Sequence, residues 1–298
     1  MKRRVTFLGE QFRYLFKTYP QRHSWRHKLY ILVEAIKLPI QYLRFIRAIR
    51  QPVAYSTSRK HECTVILLSH NRPQNMQFMV ESALRNEVIR KLVVSNSNPG
   101  VDITEWIQFT DPRLTLINET RPTRPGYRFV LAQQAPGNYF LSIDDDILLT
   151  PPQWAELFQN LVEDEAVPHG LTGNLYRPGS ASSNGSPFHH VSGVDAEVDV
   201  LIGAYAFTRL HVDRLFELAK ALNLGDVTNL ANGEDILLSL VGERKPKIHG
   251  LGRVLNCAST SLEGVALWRT MHGFWDDRVA LFERAKAAQM AAAKSWIN

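Results

Sequence analysis

Three adjacent carboxylates, Asp144, Asp145 and Asp146, follow the apolar run Tyr139 to Ile143, where a buried strand would meet solvent. Like charges side by side are hard to keep ionised unless something positive neutralises them. A divalent cation shared with phosphate oxygens does this well. The triplet therefore points to a metal-bound, phosphorylated ligand, although aspartates are also common in solvated turns and at helix N-caps. A second acidic pair, Glu234 and Asp235, opens the apolar run Ile236-Leu237-Leu238. The helix dipole alone favours acids there. The chemical alternative is a carboxylate that faces a reacting centre and accepts a hydrogen bond from an acceptor hydroxyl, or acts as its base. Trp268-Arg269-Thr270-Met271-His272, with Arg278 beyond, offers an imidazole and guanidinium groups able to meet a metal or a diphosphate. A lone histidine such as His272 is more often structural.

These groups need a frame, and the hydrophobic pattern supplies one. Short strand-like runs at Cys63 to Ser69, Lys91 to Ser95, Leu114 to Ile117 and Tyr139 to Ile143 alternate with helical spacing at Gln74 to Leu84 and Tyr127 to Gln134. Such alternation predicts an α/β fold, a mainly parallel sheet with helices on both faces. Ligands of open α/β sheets bind beyond the carboxyl ends of the strands. That rim would carry Ser69-His70-Asn71-Arg72-Pro73, then Asn96-Ser97-Asn98, then the aspartate triplet. Further on, helices are expected from Trp154 towards Glu165, from Leu210 to Leu222 and over 276 to 293, and a strand over Val198 to Phe207. Residues 177 to 193, rich in Gly, Ser, Pro and Asn, read as a mobile loop able to cover a substrate.

The chain has 298 residues, 45% hydrophobic and 21% charged, a soluble globular composition. Its net charge of +6 is uneven: residues 1 to 60 hold 14 Lys/Arg against 2 acids, or +12, leaving 21 minus 27, or −6, for the rest. In the basic arm, Trp25, Leu29, Leu32, Ile36, Ile40 and Leu43 recur at helical spacing, with Pro39 expected to kink or split the helix. A basic amphipathic segment of this kind, within residues 1 to 50, reads as lying on an anionic membrane surface; the alternative is a helix packed on the catalytic domain or a partner. No apolar stretch there is long enough to span a bilayer, and no secretory h-region follows the basic start, so the expected location is cytoplasmic with peripheral membrane association. Residues 51 to 61 read as a linker. Cys63 and Cys257 are too few for a disulfide framework or metal cage and read as small core hydrophobes. Tyr14, Tyr19, Trp25 and Tyr30 lie among the arm's charges, but no nucleic-acid-binding module is recognisable and no nucleic-acid partner is expected. The triplets Asn118-Glu119-Thr120 and Asn184-Gly185-Ser186 are at chance frequency.

The motifs also carry a family resemblance. Cys63-Thr64-Val65-Ile66-Leu67-Leu68-Ser69-His70-Asn71-Arg72 resembles the first strand and "TYNR" turn of the exostosin-type glycosyltransferase domain, family 64, with Ser69-His70 in place of Thr-Tyr. Lys91 to Ser97 is similar to that family's "KIVVVWNN", with Ser95 for its tryptophan and Ser97 for its second asparagine. Tyr127-Arg128-Phe129 and Tyr139 to Ile147 resemble "NRF" and "AVLSLDDDI". Val200 to Phe207 and Gly233-Glu234-Asp235-Ile236 resemble "LTGAAFFH" and "CEDIAMNF". The match runs in the family's order over roughly residues 62 to 282.

The resemblance implies a GT-A fold: a basic helical arm and linker over 1–60, then a glycosyltransferase domain over 61–298, with a nucleotide-sugar-binding half at 62–150 and an acceptor-binding half at 151–285. It implies a nucleotide-sugar donor, a UDP-sugar, with Mn²⁺ or Mg²⁺ at the diphosphate, while the location of the membrane arm points to a glycan or lipid-linked acceptor in surface polysaccharide or glycoconjugate synthesis. By the same resemblance Asn71, Arg72 and Asn96 would serve the nucleotide and Arg128 the donor. Asp144 and Asp145 would hold ribose and sugar hydroxyls, and Asp146 would ligate the metal, with Asp144 and His272 near it. Asp235, beside Glu234, would sit at the transferred sugar, and either Arg269 or Arg278 would meet the diphosphate. Family 2, which shares the aspartate cluster and a Glu-Asp pair, inverts configuration where family 64 retains it. Asp235 is a base in the first case and an orienting group in the second. Two other readings stand beside this one. A nucleotidyltransferase would want a glycine-rich triphosphate loop after the first strand, and His70-Asn71-Arg72-Pro73 has no glycine. A non-catalytic scaffold with a vestigial site would not need its acidic clusters intact.

Overall fold

The computed structural model describes residues 8–13, 25–50, 61–182, 185–257 and 266–296. All of the expected linker but His61 lies outside the described residues, as do Tyr14, Tyr19 and Asn184. A short helix, α1 (8–13), and the long α2 (Trp25–Arg50) precede the alternating region. That region runs β1 (Cys63–Ser69), α3 (Pro73–Ala83), β2 (Ile89–Asn96), β3 (Leu114–Asn118), α4 (Tyr127–Gln134) and β4 (Tyr139–Ile143). There follow β5 (Ile147–Leu148), α5 (Pro151–Glu163), β6 (His169–Tyr176), β7 (Phe188–Ser192), β8 (Ala196–Glu197), β9 (Val200–Thr208) and α6 (Arg209–Ala221). The chain closes through α7 (Glu234–Ser239), β10 (Lys247–Ile248), β11 (Leu255–Asn256), α8 (Leu267–Thr270) and α9 (Phe274–Trp296).

Among the described residues the main sheet has nine strands in the order β3-β2-β1-β4-β9-β6-β10-β8, with β7 on β6. β1 pairs in parallel with both β2 and β4, and β2 with β3. β9 enters antiparallel between β4 and β6, so six strands run one way and β7, β8 and β9 the other. The expected mainly parallel α/β class is what the chain adopts. Strands buried on both faces read as continuous apolar runs, as β1 does. Its Val65 and Leu67 join one core cluster, covered by α2, α3 and α5, while Ile66 joins the other, under α4, α6, α7 and α9. Pro73 sits in the first turn of α3, where a missing N–H costs nothing, and α5 and α6 open on capping boxes at Thr150 and Thr208.

Two expectations need correction, and one strand goes unmarked in the pattern. The segment 177–193 is not all loop, because Phe188–Ser192 pairs with β6. β6 itself escapes pattern reading because HGLTGNLY lacks a branched apolar run. Its glycines are there for contact: a Cβ on Gly170 or Gly173 would come within 2.6 Å of Ala204 O or 2.7 Å of Val200 O. Pro39 does not split α2, which is helical from Trp25 to Arg50. The second half of α2 belongs to the core through Leu38, Tyr42, Phe45, Ile46 and Ile49, with Tyr42 edge-on to Phe78 at 5.8 Å. Cys63 and Cys257 are buried as expected, and no disulfide joins them. Among the described residues no helix is long and apolar enough to cross a membrane.

Candidate active site

The strand order reverses between β1 and β4: the chain builds outward through β2 and β3, then returns to the other side of β1. A crevice at the carboxyl ends of two such strands is the standard ligand position of open α/β sheets. Both ends are rich in polar groups. The β1 and β2 ends are tied by Ser97 N donating to Ser69 O at 2.8 Å and by His70 Nδ1 and Ser97 Oγ at 3.0 Å. Register sets Leu67 beside Ile143, which carries Arg72 and the aspartate triplet out of the sheet together.

Two arginines hold the triplet, Arg72 on Asp145 and Asp146 and Arg128 on Asp144. Arg72, nearly buried, donates from Nη1 to Asp145 Oδ1 at 2.5 Å, and its Nη2 lies 3.2 Å from Asp146 Oδ2. Arg128 reaches from α4 to donate to Asp144 Oδ1 at 2.7 Å and to Ser142 Oγ at 3.3 Å, while its guanidinium lies 5.0 Å from the centre of the Tyr205 ring. The backbone of the triplet is braced as well. Asp144 N donates to Gly203 O at 2.7 Å, Asn75 Nδ2 to Asp145 O at 2.6 Å, and Cys257 N to Asp146 O at 2.8 Å. Gly203 N in turn donates to the Tyr205 hydroxyl at 2.8 Å. Gly203 has φ +72°, and a Cβ there would meet Ile147 Cδ1 at 2.7 Å, so this turn in β9 wants glycine.

The opposite wall is α7. Gly233, at φ +95°, turns the chain into it through a left-handed conformation, and a Cβ would meet Leu281 Cδ2 at 2.4 Å. Asp235 receives both ends of the Arg278 fork, at 2.9 and 2.7 Å, and accepts from Ile236 N at 2.9 Å. Both side chains of the pair are buried, at 7% and 5% exposure. Glu234 beside them has a carboxyl pushed up to about 7, chiefly by burial and then by the charge of Asp235, with Arg128 and Arg278 pulling the other way. Desolvation in the crevice also lifts Asp144, although its side chain keeps a partly exposed edge, against the pull of Arg128. The Tyr205 phenol is held well above its ordinary value by burial and by the Asp144 and Asp235 charges, so it stays protonated. Arg128 feels both Asp144 and Glu234 and so links the two walls.

Of the residues singled out by sequence, Arg72, Arg128, Asp144, Asp145, Asp146, Glu234, Asp235 and Arg278 stand in this one constellation. Asn71 is exposed on the rim. Asn96 is buried, and its amide is spent inside the β2 turn on Asn98 O, Val101 O and Asn118 Oδ1. In the structure it braces the turn after β2. Arg269 is exposed with its guanidinium 4.6 Å from the Trp268 ring centre, and His272 is exposed in the turn between α8 and α9. Sequence reading passed over Asn75, Gly203, Tyr205 and Cys257 as site residues. Asn75 left a trace as a polar side chain on the apolar face of α3, fully buried, and Gly203 and Tyr205 lie within the Val200 to Phe207 motif.

Among the described residues no group of three or more His, Cys, Asp and Glu converges as a protein-built metal cage. A magnesium-like ion held by one or two carboxylates and by substrate phosphates needs no such cage. The triplet suits that arrangement: the Asp144 side chain is 37% exposed, with one oxygen on Arg128, and Asp146 stands beside it at 13%.

No protein-family model matches the chain, and no curated protein does. Among solved structures it is similar to a CMP:2-keto-3-deoxy-manno-octonic acid synthetase complexed with CTP, at 12% identity and TM-score 0.37, over 53% of this chain and 78% of that one. It is also similar to GalNAc-T7 with UDP, GalNAc and Mn²⁺, at 12% identity and TM-score 0.44, over 65% of this chain. The chain spans 42% of the length of that GalNAc-T7 structure.

Proposed function

We propose that the chain is a metal-dependent glycosyltransferase of the GT-A type, moving a sugar from a nucleotide-diphosphate sugar, a UDP-sugar, to a glycan or lipid-linked acceptor. The observation that carries this reading is the convergence, at the reversal point between β1 and β4, of Asp144 to Asp146 with Arg72 and Arg128, across from Glu234 and the Asp235–Arg278 pair. Under it, residues 62–150 form the donor half and 151–285 the acceptor half. The setting is surface polysaccharide or glycoconjugate synthesis on the cytoplasmic side of an anionic membrane contacted through residues 1–50.

Breaking the bond from anomeric carbon to phosphate leaves negative charge on the departing diphosphate. Mn²⁺ or Mg²⁺, when held by Asp146 with Asp144, supplies Lewis-acid neutralisation of that charge. The chain's own part is positional and electrostatic. Arg72 and Arg128, pinned by the triplet, present fixed positive charge beside the phosphates. Glu234, with a carboxyl near neutrality, is poised to exchange a proton with an acceptor hydroxyl. Asp235, locked by the Arg278 fork, orients the reacting groups.

The test is thermal stabilisation of the purified protein by a panel of nucleoside diphosphates and nucleotide sugars, each with Mn²⁺ and with chelator. A shift specific to one base and dependent on metal is expected, and Asp146→Ala should lose the metal-dependent part while keeping its own melting temperature. Folded protein that responds to no nucleotide would refute the donor site and favour a vestigial one.

A further inference from the structure

The long helix α2 has two apolar faces. Leu38, Tyr42, Phe45, Ile46 and Ile49 are buried in the core, while Leu29, Leu32, Val33, Ile36, Ile40 and Leu43 are 37 to 64% exposed. At ~100° per residue the two sets point roughly 150° apart, so one helix carries a core face and an outward apolar stripe running ~21 Å of its ~39 Å length. A soluble protein has no reason to leave such a stripe in water, and an exposed contiguous stripe of this kind marks a docking surface. Its chemistry identifies the occupant. Lys37, Arg44, Arg47 and Arg50 are all exposed and lie within roughly 90° of the stripe's centre, and the sequence of α2 holds a single acid, Glu34, against six Lys/Arg. Leucine and isoleucine flanked by these cations suit acyl chains below a layer of anionic headgroups. An acidic protein groove would leave so long a row of branched apolar side chains without an equally long apolar partner.

We infer that the outward face of α2 lies in the plane of an anionic bilayer surface while its inward face remains part of the protein core. The contact is thus rigid: the helix that enters the headgroup layer is the one that packs on α3 through Tyr42 and Phe78 and that touches β11. β11 pairs with β5, which directly follows Asp146. The domain is therefore held at the membrane in one orientation instead of swinging on a tether. This inference rests on the membrane part of the proposed function and is independent of its donor chemistry.

The experiment uses the full chain and sedimentation with vesicles of phosphatidylcholine alone or of phosphatidylcholine with phosphatidylglycerol. Wild type is expected to sediment only with the anionic vesicles and to be released by salt. Leu32→Ser/Ile36→Ser/Leu43→Ser, all at exposed positions and so expected to keep the wild-type melting temperature, should bind at least ~10-fold more weakly from lost apolar burial. Lys37→Gln/Arg44→Gln should weaken anionic binding selectively. Absence of wild-type binding to either vesicle overturns the inference together with the membrane reading. Undiminished binding by the triple variant overturns the assignment to this face alone. A wild-type dimer in sedimentation velocity that the triple variant converts to monomer would place a second copy on the stripe and also overturn it. Nucleotide-dependent thermal shifts, measured on the same variants, are expected to be unchanged, so failure of the donor site reads out separately.

Discussion

Glu234 offers a direct check on the electrostatics of the site. Its folded-state carboxyl lies at about 7 against an ordinary 4.5, so the folded protein keeps a proton that the unfolded chain releases as pH rises between those values. Over that window the unfolded state binds fewer protons, and stability must fall with rising pH, the reverse of the usual carboxylate case. A shift of this size corresponds to about 3 kcal/mol at 1.36 kcal/mol per pH unit. Glu234→Gln mimics the protonated form and has no such dependence. Urea denaturation of both proteins from below pH 4.5 to above pH 7 should give equal stabilities at the acid end and a variant more stable by about 3 kcal/mol at the alkaline end. Buried neutral histidines, His169 held at about 4 and His211 at about 3, impose the opposite slope as pH falls, but equally on both proteins, and cancel in the difference. Transfer activity should fall in the variant at every pH. Parallel stability curves would refute the placement of Glu234 as a buried, proton-holding group.

Arg278→Met should destabilise by roughly 3–5 kcal/mol, because it strands Asp235 unpaired in the interior, while Asp235→Leu/Arg278→Met should recover much of that loss; denaturation of the three variants measures the cycle. Phe45→Ala should cost about 3–5 kcal/mol in the same assay, since α2 belongs to the core; a negligible change would show that the helix is not an integral part of the domain. Gly203→Ala should cost about 1–2 kcal/mol from its left-handed backbone and, by shifting the carbonyl that holds Asp144, weaken nucleotide-dependent thermal shifts beyond what the stability loss explains.

The parallel half of the fold was legible because β1, β2 and β4 are largely buried on both faces and so read as apolar runs. β1, α4 and β4 fall on the residues that the pattern marks. The antiparallel half was harder. β6 is written in glycines and threonine because β9 comes too close for larger side chains, and β5, β8, β10 and β11 are two residues each, too short for any periodicity. Charged site residues stood out at strand ends and a helix start. What the sequence could not display is who pairs with whom. Arg278 rather than Arg269 meets Asp235 because α9 packs against α7, a contact distant along the chain. Asn96 looked available on the rim, yet its turn consumes its whole amide. Asn75, Gly203 and Cys257 act through backbone groups of the triplet, and Tyr205 through the backbone of Gly203, which no side-chain motif records.

The pairing of β1 with β4 has a last consequence. Side chains alternate across a strand, so sliding β4 by one residue would turn Leu141 and Ile143 from one core cluster into the other and drive Phe140 the opposite way. The same slip would carry Asp144 to Asp146 about 3.3 Å along the sheet, away from Arg72. Errors of folding and errors of site assembly are therefore one event here. A chain that has closed its hydrophobic layers has already aligned its charges, and a folded population with a misaligned site has no structural basis.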